Sequence, residues 1–177
     1  MNDSEFDRDK RSSLNRHEVR GLSDAQLAEL IRPFLEDAYQ TEKLDERWLQ
    51  RLAALIRDDL TRLSDAVEQS EWAFSSNFDF TRDAEEALAT EAAHPVLVRL
   101  IAELAHVVLL DEQTAQSILH NMQRQFEEEQ GRETREIYAP IRAALTGRDR
   151  GPALHEVMAL LGKERCLERV AAVLRSE

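Results

Sequence analysis

A chain of 177 residues, 42% apolar and 33% charged, is long enough to bury a core as one domain or two small ones. Five glycines and four prolines are too few turn formers for an all-β fold, and the single cysteine, Cys166, excludes an internal disulfide or a thiolate metal cage. A net charge of −12 argues against a general affinity for nucleic acid, although nine Lys/Arg against seven Asp/Glu give residues 132–177 a charge of +2 and leave −14 on residues 1–131.

Residues 1–21 are polar, charged and aperiodic, and read as a loosely docked arm. Their acidic start lacks the marks of a secretory leader and no apolar run nears the ~18 residues of a membrane span, so a cytoplasmic protein without a membrane partner is expected. Ser23, with Gln26 three residues on, forms a capping box for a helix whose stripe is Leu27, Leu30, Ile31, Phe34 and Leu35. Asp45 starts a second helix, with Trp48, Leu52, Leu55 and Ile56 at helical spacing. From Asp65 to Phe80 a short helix runs into a connection holding Trp72, Phe74, Phe78 and Phe80. Thr81 caps a helix to about Glu91, and Pro95 suits the first turn of the next.

Val96 to Leu110 is apolar on most faces and is predicted to be the central buried helix. Asp111 caps a long amphipathic helix with Ala115, Ile118, Leu119, Met122 and Phe126 inward, ended by Gly131. Helices from Thr134 to Gly147, from Pro152 to Gly162 (read as a left-handed cap) and from Lys163 to Arg175 follow. No strand pattern emerges, so the chain is predicted to be all-α.

Three short motifs close the chain: Tyr138-Ala-Pro-Ile-Arg-Ala-Ala-Leu-Thr-Gly147, Gly151-Pro-Ala-Leu154 and Leu160-Leu-Gly-Lys-Glu-Arg165. Taken singly, each is ordinary. In the first, Ile141, Ala144 and Leu145 face a core and turn Arg142 and Arg148 outward, where a planar guanidinium can meet a base edge or phosphate. The second starts a helix, with Leu154 projecting from its first turn. Gly162 makes the third a tight joint between two helices.

The combination, in this order and spacing, resembles the anticodon-binding region of bacterial glutamyl-tRNA synthetases. The resemblance extends upstream through Phe6-Asp7, Lys10, Leu14-Asn15, Leu22-Ser23 and Pro33-Phe-Leu35, so it covers nearly the whole chain. It implies two small helical subdomains forming an α-helix cage, residues 22–92 and 93–177, that grip the anticodon arm of a glutamate tRNA. It further implies that Arg142 contacts the first anticodon base and that Leu154 lies beside the anticodon. Where discriminating members read the third base with an arginine, this chain has Asp59, flanked by Asp58. A carboxylate accepts from the amine of cytosine but repels phosphate, and Arg57 and Arg62 are the nearby cations able to stand in for the missing arginine. Arg11 and Ser13 replace the Leu and Trp usual in the arm.

The nucleotide-binding fold and adenylate-forming signatures that class I synthetases need do not occur in this sequence, so no catalytic residue, no cofactor and no metal is expected. Aminoacylation would need a separate synthetase catalytic chain. Glu103-Leu-Ala-His106 has the spacing of a di-iron ligand pair, but no matching second pair exists, and a satisfied histidine on a buried helix is the simpler account. The contrasting expectation is a degenerate paralogue, a helical protein-interaction or regulatory module that no longer reads the anticodon, which the acidic residues 1–131 favour. The RNA-binding reading requires guanidinium groups presented on a concave cationic face of the last helices.

Overall fold

The computed structural model describes residues 16–41, 43–75 and 78–176. They form nine α-helices and two 3-10 turns, with no strand among the described residues, so the all-α expectation is met. The chain divides into two compact units, the first ending at Phe74 and the second starting at Ser75.

The first unit contains α1 (Arg16–Gly21), α2 (Asp24–Tyr39), α3 (Glu46–Ile56) and α4 (Ala66–Phe74), with 3-10 turns at Arg57–Asp59 and Leu63–Asp65. Residues 1–15 of the expected arm lie outside the described residues, but residues 16–21 are not loosely docked. They are helical, Val19 is fully buried, and α1 packs on the Arg57–Asp59 turn. The Ser23–Gln26 capping box forms as expected, and the Asp45 carboxylate accepts from the Trp48 amide at 2.8 Å. Leu27, Ile31 and Leu35 of α2 meet Leu49, Leu52 and Ile56 of α3 in a core without solvent access. The ring of Phe74 stacks on Tyr39 at 4.1 Å and meets the edge of Trp48 at 5.3 Å.

The second unit contains α5 (Arg82–Leu88), α6 (Ala93–Ala105), α7 (Glu112–Gln130), α8 (Thr134–Thr146) and α9 (Leu154–Ser176). Thr81 and Asp111 cap α5 and α7, as their spacing predicts. The central helix is α8, not the Val96–Leu110 segment. It packs against α5, α6, α7 and α9, and it buries Ile137, Pro140, Ile141, Ala143, Ala144, Leu145 and Thr146. Ala143 and Ala144 are small enough to admit neighbours on both sides, a packing effect that hydrophobic periodicity does not register.

Helix α6 also stops early, at Ala105, leaving Val108 fully exposed and Leu109 71% exposed. The physical reason is Lys163, whose ammonium donates to the carbonyls of Ala105 (3.4 Å) and Val107 (2.6 Å) and so closes the helix end. His106 is the exposed C-cap of α6 rather than a buried residue, and Glu103 pairs with Arg99. Gly162 interrupts α9 at φ 79°, ψ 165°, an extended left-handed conformation and not the helical left-handed cap expected there. Among the described residues, no helix is long and apolar enough to cross a membrane.

Cys166 is fully buried near the Met158 carbonyl, and burial pushes its thiol up to about 12. At pH 8 the native protein should therefore resist thiol alkylation until it unfolds. Stopped-flow labelling with a disulfide reagent, with and without urea, checks this; rapid reaction of the folded chain would contradict the burial.

Candidate nucleic-acid interface

Arg142 sits late in α8, half-buried, and its Nη1 donates to the carbonyl of Pro152. That single bond ties the first motif to the second, since Gly151-Pro152 starts the turn into α9. Burial draws the guanidinium pKa below its usual value, and the nearby Asp149 carboxylate pulls it back up, so the group stays charged at neutral pH. No ion pair engages Arg142 among the described residues, and its Nε and Nη2 make no hydrogen bond there.

Arg142 lines a cleft of about 450 Å³ beside α5 and α8. Tyr138, Ala139 and Pro140 form the apolar part of its wall, and Arg135 joins Arg142 as the second cation. Asp83, Glu86, Glu136 and Asp149 line it too, so the face beside Arg142 is concave but carries four carboxylates to two guanidiniums. The expectation of a cationic face is corrected by α5, whose sequence Arg-Asp-Ala-Glu-Glu-Ala-Leu places its acidic side along the cleft.

Arg148 follows the C-cap Gly147 and is half-buried. Its backbone amide donates to Thr146 Oγ1 at 3.3 Å, which holds the turn closed. Leu154 is only 4% exposed, so the first residue of α9 packs into the core and does not project as expected. In the first unit, Arg57 donates to the Leu22 carbonyl and pairs with Asp24, fastening the Arg57–Asp59 turn to the start of α2. That engagement makes it an internal fastener of the first unit. Asp59 is exposed, and the charge of its neighbour Asp58 is offset by Arg20 at 3.4 Å.

Two features escaped sequence reasoning. Gly147 has φ +70°, and a Cβ there would stand 2.6 Å from Phe78 Cδ2 and 2.8 Å from the Asp79 carbonyl, with the Thr81 amide donating to the Gly147 carbonyl at 2.8 Å. The motif glycine is thus a seat for residues 78–81. Arg169 is only 5% exposed, donates Nη1 to the Leu145 carbonyl and Nη2 to the Ser75 carbonyl at 2.7 Å, and lies 4.9 Å over the Phe78 ring. Its signal was present: Cys166, Arg169, Val170 and Val173 share one helical stripe, which puts a cation on an apolar face.

The helical architecture agrees with a match to the family described as the anticodon binding domain, which spans residues 26–174. The chain belongs to this family. Its relatives are glutamate–tRNA ligases. It is 32% identical over 170 residues to that of Thermus thermophilus, covering 96% of this chain and 35% of the ligase. It is 31% identical over 171 residues to that of Exiguobacterium sibiricum, covering 94% and 35%. The domain thus spans about a third of the length of these relatives.

Among solved structures, a glutamate tRNA ligase from Elizabethkingia meningosepticum, in complex with its amino acid, superposes with a TM-score of 0.78. The superposition covers 92% of this chain and 31% of the other, at 15% identity. The glutamate–tRNA synthetase of Elizabethkingia anophelis gives 0.71 over 91% and 30%, also at 15% identity. At that identity the likeness establishes the shared helical fold.

Proposed function

We propose that this domain binds the anticodon arm of a glutamate tRNA and reads a splayed base of the loop with Arg142, supporting aminoacylation only together with a separate catalytic part. The observation that carries the reading is the state of Arg142. One nitrogen is fixed by the Pro152 carbonyl, no carboxylate lies within 4.0 Å of the guanidinium among the described residues, and the side chain lines a cleft walled by Tyr138 and Pro140. Single-stranded loops are recognised by such donors and by apolar surfaces against unstacked bases. The carboxylates of the lining, three of them paired with Arg82, Arg132 and Arg150, make the cleft a weak site for phosphate and favour base contacts as its contribution to binding. Exposed Asp59, in the other unit, is suited to accept from the amine of a cytosine.

The test is binding of glutamate tRNA against a second tRNA at two salt concentrations. The glutamate tRNA should bind tighter, and Arg142→Ala should weaken it by about 1–3 kcal/mol while leaving the second tRNA unchanged. With so few cations, affinity should fall only shallowly with salt. Equal affinity for both tRNAs, or none at low salt, overturns the proposal.

A second reading draws on the four carboxylates of the cleft and on exposed Asp58 and Asp59: a helical module that binds a protein, with the anticodon no longer read. In that case a pull-down recovers a protein partner that tRNA does not displace.

A further inference from the structure

Arg142 and Ala144 are two residues apart on α8, hence about 200° apart around the helix, and they line different clefts. The second cleft, about 330 Å³, holds Arg169, Ala144, Ala172 and the rings of Phe78 and Phe80, with Asp79 and Ser176 supplying polar groups. The two rings meet edge to face at 5.8 Å, and Phe80 is 37% exposed, the one large aromatic exposed among the described residues. Arg169, 95% hidden, forms part of the wall, and its Nε is a buried donor without an acceptor. No carboxylate lies within 4.0 Å of it among the described residues, and its guanidinium stands 4.9 Å over the Phe78 ring, whose π face favours the charge.

We propose that this slot is a second nucleotide site, which takes one unstacked base bearing an exocyclic amine and stacks it on Phe80. The chemistry of the lining selects that occupant. A flat polar ring can lie on the aromatic wall while its polar edge meets Asp79 and Ser176 of the lining, a combination that an aliphatic side chain does not use. Arg169 and Asp79 cancel in charge, which suits a neutral base and not a phosphate. Asp79, an exposed residue of the lining, carries a carboxylate able to accept, and Ser176, whose hydroxyl hydrogen goes to the Val173 carbonyl at 2.7 Å, presents lone pairs. Two acceptors favour cytosine over uracil, which has no amine. This inference rests on the tRNA-binding reading for its biological occupant, but its chemistry can be tested without it.

The decisive measurement is saturation-transfer and aromatic-shift NMR on the intact chain with CMP and UMP, beside affinity measurements with a glutamate-tRNA anticodon stem-loop. CMP should perturb the Phe80 ring more than UMP does, and Phe80→Ala should abolish the response while Phe80→Tyr keeps it. Phe80→Ala should also weaken the stem-loop about 5- to 100-fold. The exposed ring makes misfolding of this variant a minor concern, and far-UV circular dichroism checks it. A CMP response without stem-loop binding by the wild-type chain leaves the slot standing and removes the anticodon reading. A ring that ignores CMP, or answers CMP and UMP alike, overturns the slot, whatever Arg142→Ala does.

Discussion

Replacing Gly147 by alanine should cost about 3 kcal/mol of folding stability, roughly 1–2 from a left-handed backbone and the rest from the collision of the new methyl group with its neighbours. The contact at 2.8 Å is with the Asp79 carbonyl, a backbone atom that cannot swing away, and the hydrogen bond from the Thr81 amide to the Gly147 carbonyl fixes the same segment. Gly131 is the internal comparison. It also caps a helix with positive φ, +62°, but nothing lies within 4 Å of its would-be Cβ, so Gly131→Ala should cost only about 1 kcal/mol. Urea unfolding followed by far-UV circular dichroism measures both. Trp48 and Trp72 belong to the first unit, so tryptophan emission follows that unit alone. If the two variants agree to within about 0.5 kcal/mol, ordinary backbone strain explains both and the seat for residues 78–81 is not what constrains position 147.

Arg169→Leu should destabilise the protein by about 2–4 kcal/mol, because it removes two charged donors and leaves the Leu145 and Ser75 carbonyls without them. Burial brings the guanidinium down to about 10, still far above neutral pH, so the charged form makes these bonds under ordinary conditions. Arg169→Lys should recover little. A single ammonium cannot donate to both carbonyls in the geometry of a planar fork, nor lie flat over Phe78. The same urea titration reports both variants. A lysine variant as stable as the wild type would mean that charge alone matters at this position, and not the fork.

The helical architecture was legible because its signals are local. Ser23 with Gln26, Asp45, Thr81 and Asp111 each cap a helix through their own side chain, and Gly131 and Gly147 end helices in left-handed turns, as sequence spacing demands. The family was legible for a related reason, since Arg142, Gly151-Pro152 and Lys163 lie in short contiguous stretches. The side of each helix that meets a neighbour was harder to read. Leu154 looked like a projecting residue and is core, because the turn through Pro152 is drawn onto Arg142 and carries the start of α9 inward.

By itself, then, the sequence determined the side-chain caps that start helices at Ser23, Asp45, Thr81 and Asp111, the absence of strand patterning and the membership of the chain in its family, all properties of neighbours along the backbone. Only the tertiary structure decided that α8 is the central helix, that acidic α5 lines the cleft of Arg142, and that Arg57 is spent on Asp24. It also brought Phe78, separated by 91 residues from Arg169, beneath that guanidinium. Such pairings depend on which surfaces exclude water together, and nothing in the local periodicity of a single helix records the identity of its partner.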